Sequence, residues 1–220
     1  MAKGVYILDS EVVIVGGGPF GLMLAIELGR RNVTTLLYDA KNGTAYNPQA
    51  NATQARTMEY FRRLGIADEI RALGMPADYP TDIAYFTRYG HHELGRFELP
   101  ASSKANALVR SNQGSWTASE APHRISQKFV EPVLRRLAEA HDSVTINFGW
   151  RMTDFKEGAS SVSAVFEQSE TGVTQNIDAT YLIGADGARS MVRKQLGYSL
   201  LGEYGEERHF FGGRMYAVYL

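Results

Sequence analysis

Gly16, Gly18 and Gly21 stand in the run Val-Val-Ile-Val-Gly-Gly-Gly-Pro-Phe-Gly of residues 12–21, a spacing that can hold a pyrophosphate. Gly16 allows a tight turn off an extended segment. Gly18 lets a phosphate approach bare backbone, and Gly21 lets the next helix pack close to the strand. Pro19 and Phe20 complete the loop. The helix that follows offers free N–H groups and a partial positive charge at its start. Asp39 comes 23 residues after Gly16, at the end of a second β-branched run, 33–38. A carboxylate there can accept both hydroxyl protons of an adenosine ribose. A glycine-rich turn of an unrelated α/β protein can carry the same three glycines. The flanking strand and helix patterns and the placed acid favour a dinucleotide site.

A second stretch, Ile-Gly-Ala-Asp-Gly-Ala-Arg-Ser-Met-Val-Arg at 183–193, puts Asp186 and Gly187 at a strand-to-helix junction. Asp186 can bind a ribose hydroxyl there, and Gly187 keeps the backbone clear of a cofactor. Ser190 is placed to cap the next helix and Arg193 to meet an anion. Other chemistry is poorly represented. His91 and His92 fall in a turn, and His123, His141 and His209 lack metal-ligand spacing, so no metal site is expected. No G-x-S-x-G elbow is present. No side chain stands out as a catalytic acid or base, so the catalytic residues stay unassigned.

The elements that must position these residues read as α/β. Strands are predicted at 11–16 and 33–39 around a helix at 19–31. Residues 40–52 read as loop and 55–70 as one helix. Residues 83–87 and 93–99 read as a hairpin, and 100–122 as a long surface loop. A helix is predicted from Ser126, as N-cap, to about His141, with Phe129, Val130, Val133, Leu134, Leu137 and Ala138 as its buried stripe. Pro132 predicts a kink or a late start there. Strands follow at 143–148, 150–156, 161–167, 173–178 and 181–184, then a helix at 191–196 that stops at Gly197. Residues 209–220 read as a strand ending inside an apolar run. That leaves an unpaired apolar edge and suggests a truncated chain or one piece of a larger protein.

Composition bounds the rest. A net charge of −1 with no basic block argues against nucleic acid or an anionic membrane as the main partner. The chain has no cysteine, which rules out thiol catalysis within it and fits a reducing, cytoplasmic setting. Residues 1–10 lack the basic segment and apolar core of a secretory leader. No apolar stretch approaches the roughly 20 residues of a membrane span.

Taken with the glycine fingerprint, the Asp186-Gly187 motif with Ser190 and Arg193 resembles that of the class A flavoprotein monooxygenases. These are FAD-dependent aromatic hydroxylases similar to p-hydroxybenzoate hydroxylase. Ala55-Arg56-Thr57-Met58-Glu59 with Leu64-Gly65-Ile66 is similar to the family helix whose arginine approaches the flavin, which assigns that role to Arg56. Ile125-Ser126-Gln127 with Val130-Glu131-Pro132-Val133-Leu134 is similar to the family segment whose glutamine contacts the ribityl–phosphate region, which assigns that role to Gln127.

The resemblance implies a Rossmann-like, GR2-type FAD-binding domain at 1–80 and 101–197. It also implies the start of a β-sheet substrate domain at 81–100 and 198–220. The implied reaction is NADH- or NADPH-dependent hydroxylation of a phenolic ring by O₂, through a flavin C4a-hydroperoxide. The family's later Gly-Asp motif has no candidate here, and complete members are about twice as long. A missing C-terminal half or a homo-oligomer is therefore expected as partner. A non-catalytic FAD-binding fragment, a flavin halogenase or a reductase are the alternatives. Trp116 and Trp150 are isolated, unlike the Trp-rich motif of halogenases. The early fingerprint and Asp186-Gly187 weigh against an NAD-dependent dehydrogenase.

Overall fold

A computed structural model describes residues 9–46, 50–88, 90–111 and 118–202. The elements run β1 (Asp9–Val15), α1 (Pro19–Gly29), β2 (Thr35–Asp39), β3 (Ala52–Thr53), α2 (Ala55–Arg63) and α3 (Ala67–Ala72). Then come β4 (Ile83–Phe86), β5 (Glu93–Phe97), α4 (Ser102–Ser111), β6 (His123–Arg124) and α5 (Gln127–Glu139). The chain continues through β7 (Val144–Phe148), β8 (Trp150–Glu157), β9 (Val162–Gln168), β10 (Thr174–Gly184) and α6 (Met191–Gln195). The predicted strand at 209–220 lies outside the described residues.

The main sheet has the order β7-β2-β1-β10-β9-β8. The first four strands are mutually parallel, and β9 and β8 close the sheet as an antiparallel pair. β1 is central and buried on both faces, which its unbroken Val-Val-Ile-Val run dictates. Side chains alternate across it. Val12 and Ile14 enter the layer of α1, α2, α3 and α5, beside Leu22, Ile26, Met58 and Leu134. Val13 and Val15 face Tyr38, Met152, Phe155 and Phe166 on the other side. There the Tyr38 ring stacks on Phe166 at 3.9 Å between centroids, and burial pushes its phenol up to about 12.

Several expectations need correction. Residues 55–70 form two helices, because α2 ends at Gly65 with φ +78°. Gly65 N–H donates to Arg62 and Ile66 N–H to Phe61, the paired bonds of a glycine-stopped helix end. The expected loop at 100–122 contains α4. Its mixed Ser, Ala and Asn content hid the helix. The strands expected at 173–178 and 181–184 are one, β10. Its first half pairs with β9 and its second half with β1, so it joins the antiparallel and parallel parts. α5 starts at Gln127 and passes through Pro132, whose ring is exposed. Phe129 is also 44% exposed rather than part of the buried stripe.

Candidate functional site

The four parallel strands end at one edge of the sheet, and the loops after β1, β2 and β10 meet there. β1 is the switch point. The chain leaves it through α1 towards β2 on one side, and β10 pairs on the other. Ligands of open α/β sheets bind in the crevice at such a point.

The three glycines act there in three different ways. Gly16 has φ +114°, and a Cβ built on it would lie 2.4 Å from the Ala185 carbonyl oxygen. It lets the β1 and β10 loops touch. A Cβ on Gly21 would lie 1.9 Å from the Gly16 carbonyl oxygen, so its absence lets α1 close onto the loop. A Cβ on Gly18 would meet nothing within 4 Å. Gly18 is the N-cap of α1, which has no side-chain cap and no acidic residue in its first turn. Among the described residues no side chain claims the N–H groups that follow, which suits them to an anion. Pro19 begins the helix, where its missing N–H costs nothing, and the neighbouring Phe20 ring is exposed.

Asp39 closes the loop from the β2 side. Its Oδ2 accepts from Gly17 N–H at 2.6 Å and its Oδ1 from Lys41 N–H at 2.7 Å. Gly17 escaped the sequence reading, although three consecutive glycines were the signal. A Cβ there would crowd Asp39, Leu37 and Phe148 at 3.1–3.2 Å. On the β10 side, Asp186 Oδ2 accepts from Met191 N–H at 2.7 Å and Val192 N–H at 3.3 Å, capping α6. Its Oδ1 is buried with no partner among the described residues. Gly187, at φ +78°, faces open space. Ser190 caps α6 as expected, its Oγ accepting from Arg193 N–H at 3.0 Å. Arg193 instead turns back onto the loop, donating to the Ala188 carbonyl at 2.8 Å.

Gln127 and Arg56 sit apart from this centre. Gln127 opens α5, where its N–H donates to the Ala50 carbonyl at 2.9 Å and its Nε2 to Glu131 Oε1 at 2.6 Å. Glu131 Oε2 accepts from Ala45 N–H, in the loop that begins at Asp39. Sequence reasoning missed Glu131; an acid four residues after Gln127, inside an apolar helix stripe, was its signal. Arg56 is exposed at the start of α2 and pairs with Glu59 at 2.9 Å. The structure thus joins Gly16, Gly17, Gly18, Asp39 and Asp186 directly and reaches Gln127 through the β2 loop. It leaves Arg56 on its own surface pair.

This edge is open. Two cavities of about 460 and 410 Å³ lie elsewhere, one beside α6 and β10 and one beside α2 and α4, and the glycine loop lines neither. An extended dinucleotide needs backbone donors along a crest more than an enclosed chamber. The backbone N–H groups at the bare, uncapped start of α1 supply donors of that kind, and Asp186 adds a carboxylate acceptor from the β10 side. Among the described residues no group of His, Asp or Glu is placed to hold a metal ion. No helix among them is long and apolar enough to cross a membrane.

Residues 9–212 match the family described as FAD binding domain, and the chain belongs to it. It resembles aklavinone 12-hydroxylase DnrF of Streptomyces peucetius, at 35% identity over 208 residues, 93% of this chain and 40% of that protein. Phenol 2-monooxygenase of Pseudomonas sp. (strain EST1001) is 30% identical over 194 residues, 88% of this chain and 31% of its own length. Among solved structures, the flavin-dependent monooxygenase PieE, in complex with FAD and substrate, matches with a TM-score of 0.79. It is 30% identical and the match covers 89% of this chain and 33% of PieE. The chain is therefore a member of the FAD-dependent monooxygenase family, its cofactor is FAD, and it spans 31–40% of the length of these two curated relatives.

Proposed function

We propose that this chain is the FAD-holding part of a hydroxylase that uses NADH or NADPH and O₂ to oxygenate an aromatic, phenolic ring. The observation that carries the reading is the bare Gly18 at the uncapped start of α1, flanked by Asp39 and Asp186. Gly16, Gly18, Pro19, Phe20, Gly21 and Asp39 hold the ADP half. Asp186, Gly187, Gln127 and Arg56 hold the middle of the cofactor and its approach. Asp39 keeps acceptor capacity for a ribose, because each carboxylate oxygen takes more than one hydrogen bond. FAD supplies the redox and oxygen chemistry, and the protein supplies position, electrostatics and exclusion of water. The names of the hydroxylase and phenol monooxygenase relatives support an aromatic substrate.

The proposed division places the FAD-binding domain at 1–80 and 101–197 and the start of a substrate domain at 81–100 and 198–220. The exposed apolar side chains of the β4–β5 hairpin also support a second reading, a fragment that works only with a partner chain or a second copy. Contacts worth about 3–4 kcal/mol supplied from outside the 220 residues would change FAD affinity by roughly 100–1,000-fold. We therefore expect weak FAD binding by the chain alone, and NAD(P)H oxidation that releases H₂O₂.

The visible spectrum of the protein after addition of FAD and desalting tests this, followed by NAD(P)H oxidation with phenols. A flavin spectrum that survives desalting supports the cofactor site. A fully coupled hydroxylation by the chain alone would refute the partner-requiring part of the reading. Absence of any FAD binding at high micromolar cofactor would refute the assignment of the glycine loop.

A further inference from the structure

We propose that Glu131 is a positioning residue of the cofactor site: its buried carboxylate sets the sense of the Gln127 carboxamide and ties α5 to the loop after Asp39. The inference rests on the reading above that Gln127 contacts FAD. Glu131 is only 2% exposed, and acidic side chains are almost never so buried without compensation. Among the described residues no Lys, Arg or His pairs with it. It takes two neutral N–H donors from two separate elements: Gln127 Nε2 at 2.6 Å, one helical turn earlier, and the backbone N–H of Ala45.

That arrangement has a directional consequence. Both oxygens of Glu131 act as acceptors, so the Gln127 group that meets it must be the amide NH₂. The carbonyl end of the same carboxamide is turned away from Glu131. The Gln127 backbone does not need Glu131 for its placement, since its own N–H donates to Ala50 and Ile125 N–H donates to Asn51 at 3.2 Å. Glu131 adds the sense of the side chain and the register of the Ala45 loop. Leu, a packing replacement of similar size, would keep the helix stripe and lose both functions. Among the described residues no cation sits beside this buried acid, and the use we assign it is to orient its two donors.

Four versions of the protein test the inference: the original chain, Glu131→Gln, Gln127→Ala and the double variant. Each is titrated with FAD by quenching of flavin fluorescence and melted without FAD. Glu131→Gln can satisfy Ala45 N–H or Gln127 Nε2 with its one carbonyl, not both, and so weakens the pair of acceptors that sets the sense of Gln127. We expect roughly tenfold weaker FAD binding, about 1.4 kcal/mol. On the Gln127→Ala background the same change should weaken binding no further. Equal losses on both backgrounds, or unchanged affinity in Glu131→Gln while Gln127→Ala is weakened, would overturn the positioning role alone. Wild-type affinity in Gln127→Ala would overturn the Gln127 reading and this inference with it. Should Glu131→Gln not fold, Glu131→Asp keeps two acceptor oxygens on a shorter arm. The same dependence on Gln127 is expected of it.

Discussion

Side chains added at Gly18 and at Gly21 should have opposite consequences. Gly18 has φ −75° and ψ −176°, open to any residue, and nothing lies within 4 Å of its Cβ direction. Serine is also a good N-cap. Gly18→Ser should therefore leave the melting temperature unchanged or raise stability by a few tenths of a kcal/mol. Yet it fills the space a pyrophosphate needs, so FAD affinity should fall at least tenfold. Gly21→Ala places a methyl 1.9 Å from the Gly16 carbonyl oxygen, which neither backbone can accept in place. It should cost about 1–3 kcal/mol of stability, as overpacking does, with or without FAD. Urea melts of the apo protein and FAD titrations of both variants separate the effects. A Gly18→Ser protein with unaltered FAD affinity would remove Gly18 from the binding surface.

Between elements, the tie of β6 to α3 carries a titratable group outside the cofactor site. His123 is buried, and Arg71 and Glu120 form an ion pair at 2.9 Å close by. Burial first, and then the Arg71 charge, push the imidazole down to about 4 from 6.5. The group is neutral when folded and gains a proton more readily when unfolded. Its contribution is thus fully present above about pH 6.5 and is lost as pH falls towards 4, by up to about 3 kcal/mol. Denaturant melts between pH 7 and 5 should show falling stability, and His123→Gln should flatten that slope. A slope equally steep in the variant would assign it to other groups.

The sequence disclosed elements in proportion to how local their signals were. β1, α1, β2 and the β4–β5 hairpin were legible because an apolar run, a glycine turn or a short loop marks each within a few residues. The break at Gly65 was missed because helical periodicity runs on through it in Met58, Phe61, Leu64 and Ile66. β10 read as two strands because its burial changes where its neighbour changes from β9 to β1, a tertiary fact. Glu131 was hidden for the same reason, since its second donor, Ala45, lies 86 residues away.

For the whole molecule, the β4–β5 hairpin carries apolar side chains that the described residues leave uncovered. Among the described residues its strands pair only with each other, in a two-stranded sheet separate from the main one. Leu94 is 70% and Phe97 62% exposed, and Ile83, Tyr85 and Phe86 are exposed beside them. A lone hairpin is marginal in water at best. This one is held by polar links at its open end: Arg96 to Asp82 at 2.9 Å, Leu99 N–H to Asp82 at 2.9 Å and Thr81 to Pro100 at 3.2 Å. Its amides should therefore exchange with solvent at a free energy far below that of β1, which is buried on both faces and paired along both edges. Leu94→Lys with Phe97→Lys should cost no more than about 1 kcal/mol of stability, because Leu94 carries little burial and Phe97 loses only its edge-on contact with Tyr85. The same pair should suppress any concentration-dependent self-association seen by sedimentation, with FAD affinity unchanged because the glycine loop belongs to the other sheet. Protection of the hairpin equal to that of β1 in the monomer would mean that the fold already covers it. The case for a further chain or copy on that surface would then fall, while the cofactor site would stand on its own geometry.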